Sequence, residues 1–278
     1  MERPYLGDFT GKERQAMISL RQLERTWETL AQEDPMWAIC TDPTKTGRRW
    51  QYSEFMATGE REISRVTEHS SQLGIEIDFT GTALDFGCGI GRLTHALSKR
   101  FRESIGIDIS KTMIEKAQSL APVPERCRFL VNRSSSLDMF ADGKFSFIYS
   151  NIVLQHMMPR YATRYIQEFV RVLRPGGVMV FQTADSMRGT LLLRLKAATR
   201  IRTRLKSLFG VDQMTVHFLP EAQVRESLFG AQVVDVSLTN ALDSDFNGSL
   251  LFRKQEPVSG PVSKLYTAVK KSNGTSSP

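Results

Sequence analysis

The stretch Thr82-Ala83-Leu84-Asp85-Phe86-Gly87-Cys88-Gly89-Ile90-Gly91-Arg92-Leu93-Thr94 restricts this chain more than any other. An apolar run ends in three glycines on alternate positions, and Leu93, Ala96, Leu97 and Phe101 then recur at helical spacing. The pattern predicts a strand, a tight turn and a helix N-terminus. Glycine suits such a turn because a Cβ would hold the backbone away from a ligand, and because the turn visits positive φ. Free N–H groups at the start of the helix favour a negatively polarised ligand group. About twenty residues on, Ser104-Ile105-Gly106-Ile107-Asp108 reads as a second strand closed by a carboxylate, where both hydroxyls of a ribose can be accepted. Together these define a nucleoside-binding βαβ unit. The alternate glycines after Asp85 differ from the G-x-G-x-x-G of dinucleotide sites and argue against NAD.

At these residues the chain resembles the class I S-adenosylmethionine-dependent methyltransferases, whose first motif is an acid followed by alternating glycines and whose second is an acid closing the next strand. Lys144-Phe145-Ser146-Phe147-Ile148-Tyr149-Ser150-Asn151-Ile152-Val153-Leu154-Gln155-His156 is similar to the family's fourth-strand motif. Arg171-Val172-Leu173-Arg174-Pro175-Gly176-Gly177-Val178-Met179-Val180 is similar to its turn into the fifth strand. The resemblance implies an α/β, Rossmann-like sheet of seven strands in the order 3-2-1-4-5-7-6, the last antiparallel. S-adenosyl-L-methionine would lie against Gly87, Cys88, Gly89 and Gly91, with Asp85 and Asp108 holding its amino group and ribose hydroxyls and Ile109 beside them. Ser150 and Asn151 fall at the carboxyl end of the fourth strand, where ligands of open parallel sheets bind. Many relatives carry an acid for the adenine amino group where this chain has Asn132 or Arg133, so that contact falls to Asn132 or a backbone carbonyl. Ser146 replaces the acid that usually leads the fourth strand, a change expected to touch packing rather than catalysis.

Upstream, residues 12–32 carry Ala16, Leu20, Leu23, Trp27 and Leu30 at helical spacing, and Phe55, Gly59, Ile63 and Val66 mark a second helix. Residues 1–78 are thus expected as a helical cap like the one many small-molecule methyltransferases lay over the cofactor, either as plain packing or with Phe55 and Gly59 against it. Residues 79–256 form the methyltransferase domain, and 257–278, with Pro257, Gly260, Pro261 and a Ser/Gly/Asn/Thr end, a flexible tail. A hairpin of strands 232–240 and 247–253 closes the sheet.

The formal charge of +7 is local. Seven basic residues and no acid lie between Arg188 and Gly210; without them the chain holds 30 basic and 30 acidic residues. A basic lid helix is expected within an insertion at 187–219, with a solvated back, a peripheral membrane contact through 188–209, or an acidic acceptor as its uses. Nucleic acid is disfavoured because the segment lacks stacking aromatics. Cys40, Cys88 and Cys127 have no C-x-x-C spacing, which fits a reducing, cytoplasmic compartment and offers no metal site.

S-adenosylmethionine carries its own leaving group, so the protein must bind, orient the acceptor and, for a hydroxyl, remove a proton. His156, a few residues past the fourth strand, is the leading base, with a pocket-wall role as the alternative; His217, before Phe218-Leu219-Pro220, is the second candidate. His69 and His95 fall on helices as packing or surface residues. The expected activity is O-methylation of a small-molecule, glycan or lipid-linked acceptor. A cofactor-binding regulatory or scaffold protein, and an N-, C- or protein methyltransferase, stay open beside it.

Overall fold

The computed structural model describes residues 11–120, 125–188, 215–241, 250–257 and 260–272, with side chains from Leu20 onward in the first helix. The cap comprises α1 (Gly11–Glu33), α2 (Pro35–Ile39) and α3 (Tyr52–Gln72). α2 begins where Asp34 accepts the backbone N–H of Trp37 at 3.3 Å and Pro35 fills the first turn. There follow β1 (Thr82–Phe86), α4 (Arg92–Ser98), β2 (Glu103–Asp108), α5 (Lys111–Leu120), β3 (Cys127–Val131) and β4 (Phe145–Ser150). The chain continues through α6 (Pro159–Val172), β5 (Leu173–Arg188), α7 (Glu221–Ser227), β6 (Ala231–Thr239), β7 (Phe252–Arg253) and β8 (Gly260–Lys270).

These eight strands form one sheet in the order β3-β2-β1-β4-β5-β8-β6-β7. The first five pair in parallel, and β8 runs antiparallel to β5. Strand side chains alternate between two covered faces. Leu84, Phe86, Ile148, Met179 and Phe181 pack with Tyr165, Ile166 and Phe169 of α6 on one face. Ala83, Phe147, Tyr149, Val178 and Val180 pack with Ile63 and Val66 of α3 and Leu93 and Leu97 of α4 on the other. The cap is therefore continuous with the core through α3.

The α/β, Rossmann-like architecture stands as expected, with a difference at its far edge. Residues 257–278 are not all a tail: β8 sits between β5 and β6 and pairs with both. Its buried Val262, Leu265, Tyr266 and Ala268 close the core, and Tyr266 stacks on Phe181 at 5.3 Å. Of the strand expected at 247–253, residues 247–249 lie outside the described residues and 252–253 form β7, which pairs with the end of β6; among the described strands the long closing antiparallel pair is β8 with β6. Ser146 does act in packing: its hydroxyl donates to the Asp78 carbonyl at 2.9 Å. Most of the basic segment, 189–214, and with it the expected lid helix and membrane face, lies outside the described residues. None of the described helices is long and apolar enough to cross a membrane.

Candidate active site

The carboxyl ends of β2, β1 and β4 open into a cleft of about 990 Å³, its mouth included, roofed by Leu23 and Trp27 of α1 and Ile39 of α2. Its floor is the glycine turn. Gly87, Gly89 and Gly91 have φ of 78°, 53° and 89°, values only glycine adopts at low cost. A Cβ on Gly89 would lie 2.4 Å from the Ile39 Cδ1, and one on Gly87 2.4 Å from a Val153 methyl. The turn thus presents bare backbone, with the Ile39 and Val153 side chains close to it.

Asp108 closes β2 beside this floor. Its carboxylate accepts the backbone N–H of Gly89 at 2.9 Å and of Ser110 at 2.8 Å. Burial pushes its pKa up to about 6 against the effect of those N–H groups. Gly87, Cys88, Gly89, Asp108, Ile109, Asn132 and Asn151 all line the cleft, as does His156.

Other expected residues stand behind it. Asp85 is 1 % exposed and accepts the Thr94 hydroxyl at 2.6 Å; burial raises its pKa to about 7. Gly91 ends the turn by capping α4. The Ser150 hydroxyl donates to the Phe86 carbonyl at 3.1 Å. Phe55 packs edge-on against Trp50 within the cap. Gly59 serves a close approach, but to protein: a Cβ there would sit 2.5 Å from the Arg92 carbonyl. Asn132 lines the cleft with its amide already engaged, donating to the Ser136 carbonyl at 3.2 Å and accepting the Ser134 N–H at 3.1 Å. Shape and backbone are therefore left to recognise a base there.

The hydrogen-bond network fixes the state of His156. The Gln182 Oε1 accepts the Ile152 N–H at 3.1 Å, so its Nε2 donates, to the Gln155 Oε1 at 2.9 Å. The Gln155 Nε2 must then donate to the His156 Nε2, 3.2 Å away, and the His156 Nδ1 carries the proton toward the Thr215 carbonyl at 3.4 Å. The ring is neutral with its lone pair on Nε2, and burial lowers its pKa to about 4. Trp27 of the cap meets it edge-on at 5.6 Å. His156, Leu20, Leu23 and Met157 also line a second recess beyond the cleft, together with Met158, Tyr161, Thr215 and His217. His217 thus belongs to the recess and not to the glycine cleft; its N–H donates to the Gln155 carbonyl at 2.7 Å, and burial lowers its pKa.

Two residues, one lining the cleft and one beneath it, carried no motif in the sequence. Arg92, 4 % exposed at the start of α4, donates to Glu62 of α3 at 2.8 Å. Its signal was a cation at a helix N-terminus, where the dipole disfavours one. Glu62 is fully buried, and its signal was a charge on the apolar face of α3 beside Gly59, Ile63 and Val66.

The residues fit an S-adenosyl nucleoside: a bare glycine floor, a carboxylate at the ribose position, and buried polar atoms of Arg92 and Asn151 that lack protein partners. The comparisons agree. Residues 84–181 match the family described as "Methyltransferase domain". The chain is 34% identical over 100 residues to 2-methyl-6-phytyl-1,4-hydroquinone methyltransferase of Synechocystis sp., covering 36% of this chain and 30% of that one. It is 30% identical over 173 residues to malonyl-[acyl-carrier protein] O-methyltransferase of Methylovorus sp., covering 59% and 55%. The chain thus spans about half or less of the length of these relatives. The fold is shared with magnesium protoporphyrin IX methyltransferase of Synechocystis, solved with S-adenosylmethionine bound, at a TM-score of 0.55 and 14% identity over 91% of this chain and 97% of that one. Motifs, cleft and sheet order converge: the chain carries a methyltransferase domain of the class I S-adenosylmethionine-dependent family.

Proposed function

We propose that the protein is an O-methyltransferase that moves the methyl group of S-adenosylmethionine to the hydroxyl of a small, largely apolar acceptor. One observation carries the reading: His156 stands on the wall shared by the nucleoside cleft and the second recess, its Nε2 accepting only from the Gln155 amide at 3.2 Å. Asp108 would hold the ribose against the glycine turn, which aims the rest of the cofactor toward that wall. The bound cofactor supplies a methyl group on a sulfonium. An acceptor hydroxyl entering from the recess would replace the 3.2 Å contact from Gln155, giving its proton to Nε2 while Nδ1–H stays on the Thr215 carbonyl. Leu20, Leu23, Met157, Met158 and Tyr161 make the recess mostly apolar, which supports an aromatic, isoprenoid or other lipid-like body over a glycan. A base as weak as this imidazole suits an acidic hydroxyl, a phenol or an enol, better than an aliphatic alcohol. The relative named for malonyl-[acyl-carrier protein] O-methylation supports transfer to oxygen.

The test is transfer of labelled methyl into cell extract, with mass spectrometry for products heavier by one methylene. His156→Ala should lower kcat by about 10²-fold or more while S-adenosylhomocysteine affinity holds. The parent's acid limb should lie near pH 4, because burial keeps the ring neutral well below its ordinary value near 6.5. Full activity in the variant would reduce His156 to a piece of wall.

A further inference from the structure

α3 delivers a carboxylate underneath the cofactor cleft. Glu62 is fully buried, with no solvent to share its charge. Its Oε2 accepts the Arg92 guanidinium at 2.8 Å; its Oε1 accepts both the Tyr149 hydroxyl and the Asn151 Nδ2 at 2.8 Å. Arg92 also donates to the Thr58 hydroxyl at 3.2 Å, one turn earlier on α3. Gly59 makes this possible, since any side chain there would push α3 off the start of α4.

Stability alone gives no reason for the arrangement. A buried ion pair is on average no better than apolar residues of the same volume, and it tolerates poorly the loss of either partner. What the pair does is set two neighbours. Because a carboxylate only accepts, the Asn151 amide must turn its Nδ2 to Glu62, which leaves Oδ1 on the other side, buried and without a partner. The Nε of Arg92 is likewise buried and unpartnered. Both residues line the cleft. Native buried polar atoms almost always have partners, so two orphans on residues that line one cavity point to a ligand that completes them when it is seated there.

The sheet order says which part of the ligand that is. Asp108 ends β2 and Asn151 follows β4, with β1 and the glycine turn between them. A nucleoside whose ribose meets Asp108 therefore crosses β1 and reaches Arg92 and Asn151 with its distal arm. A cation beside an amide carbonyl matches an α-carboxylate beside an α-ammonium.

Resting on the methyltransferase reading, we infer that Glu62 is a positioning residue for the amino-acid arm of the cofactor: it holds the Asn151 carbonyl and the Arg92 guanidinium in the orientation that arm requires. The cap helix α3 is then part of the cofactor site without touching the cofactor.

The experiment is calorimetric binding of S-adenosylhomocysteine and of 5′-methylthioadenosine, which keeps the adenosine and thioether but lacks the arm. The variants are Glu62→Gln, Glu62→Asp, Asn151→Ala, and Glu62→Asp combined with Asn151→Ala. Glu62→Asp keeps a charge opposite Arg92 and withdraws the acceptor, so it guards against Glu62→Gln failing to fold. Folded Glu62 variants should lose about tenfold or more in S-adenosylhomocysteine affinity and stay within about twofold for 5′-methylthioadenosine, and the Glu62→Asp loss should shrink in the Asn151→Ala background. Equal losses for both ligands, no loss, or full additivity with Asn151→Ala would overturn the role of Glu62. If the parent binds neither ligand, the cofactor reading fails first, and that result is distinct from the others.

Discussion

The two acids on either side of the glycine turn, Asp85 and Asp108, sit in different surroundings. Asp108 lines the cleft, while Asp85 points beneath the turn to Thr94. Its folded pKa of about 7 lies above the ordinary value near 4, so the folded protein binds a proton that the unfolded chain has released. That contribution is fully present below about pH 4 and is lost as pH rises toward 7. His95 acts in the opposite sense: both ring nitrogens are buried without partners, and burial lowers its pKa to about 4. Its contribution is present above the unfolded value near 6.5 and lost as pH falls toward 4. Replacing Asp85 by Asn keeps an acceptor for Thr94 and removes the carboxylate's ionisation. The variant should gain stability over its parent progressively between pH 4 and pH 7 in urea unfolding and no further above that, while a gain that does not vary with pH would show that Asp85 is satisfied as an anion.

At the level of elements, legibility followed the range of the interactions. β1, the turn and α4 were readable because the requirement for glycine is local and the apolar run is continuous. α6 was readable because Tyr161, Ala162, Tyr165, Ile166 and Phe169 repeat at helical spacing and are buried as that spacing implies. β8 was not, since Pro257, Gly260 and Pro261 read as the start of a tail and Ser263 and Lys264 interrupt its apolar alternation. Its place depends on β5, some eighty residues earlier, whose open edge it fills from Val178 to Arg188. Glu62 was hidden for the same reason, as its partners Arg92, Tyr149 and Asn151 lie 30 to 89 residues away. A chain ending at Glu256 would expose that edge and remove Val262, Leu265, Tyr266 and Ala268 from the core. It should be insoluble or lack a cooperative unfolding transition, whereas a chain ending at Ser272 should unfold like the full chain; a soluble, cooperative 1–256 fragment would make β8 dispensable.

Across the whole molecule, the cap is joined to the sheet at the points where the cofactor site is built. α3 reaches beneath the cleft with Glu62, Ile39 at the end of α2 rests on Gly89, and α1 is pinned at the N-terminus of α5. That pin is Glu28, whose carboxylate accepts the backbone N–H of Lys111 at 2.5 Å and of Thr112 at 3.3 Å. An acid on a helix N-terminus satisfies donors the helix cannot, worth about 1 kcal/mol. The helix so capped starts three residues after Asp108, so the contact that holds α1 down also borders the ribose position. The Ile39 methyl reaches Gly89 and lines the cleft with it, so the cap supplies part of the wall against which a nucleoside on the turn would lie. Affinity should therefore depend on how firmly α1 docks, even though Glu28 is absent from the cleft lining. Glu28→Ala should weaken S-adenosylhomocysteine binding about fivefold, the equivalent of losing about 1 kcal/mol of cap docking. Amide exchange should rise in residues 20–39 and stay unchanged in β1, β2 and β4. If exchange in the cap rises and affinity does not change, the roof formed by α1 and α2 is a passive cover, and recognition belongs to the residues beneath it.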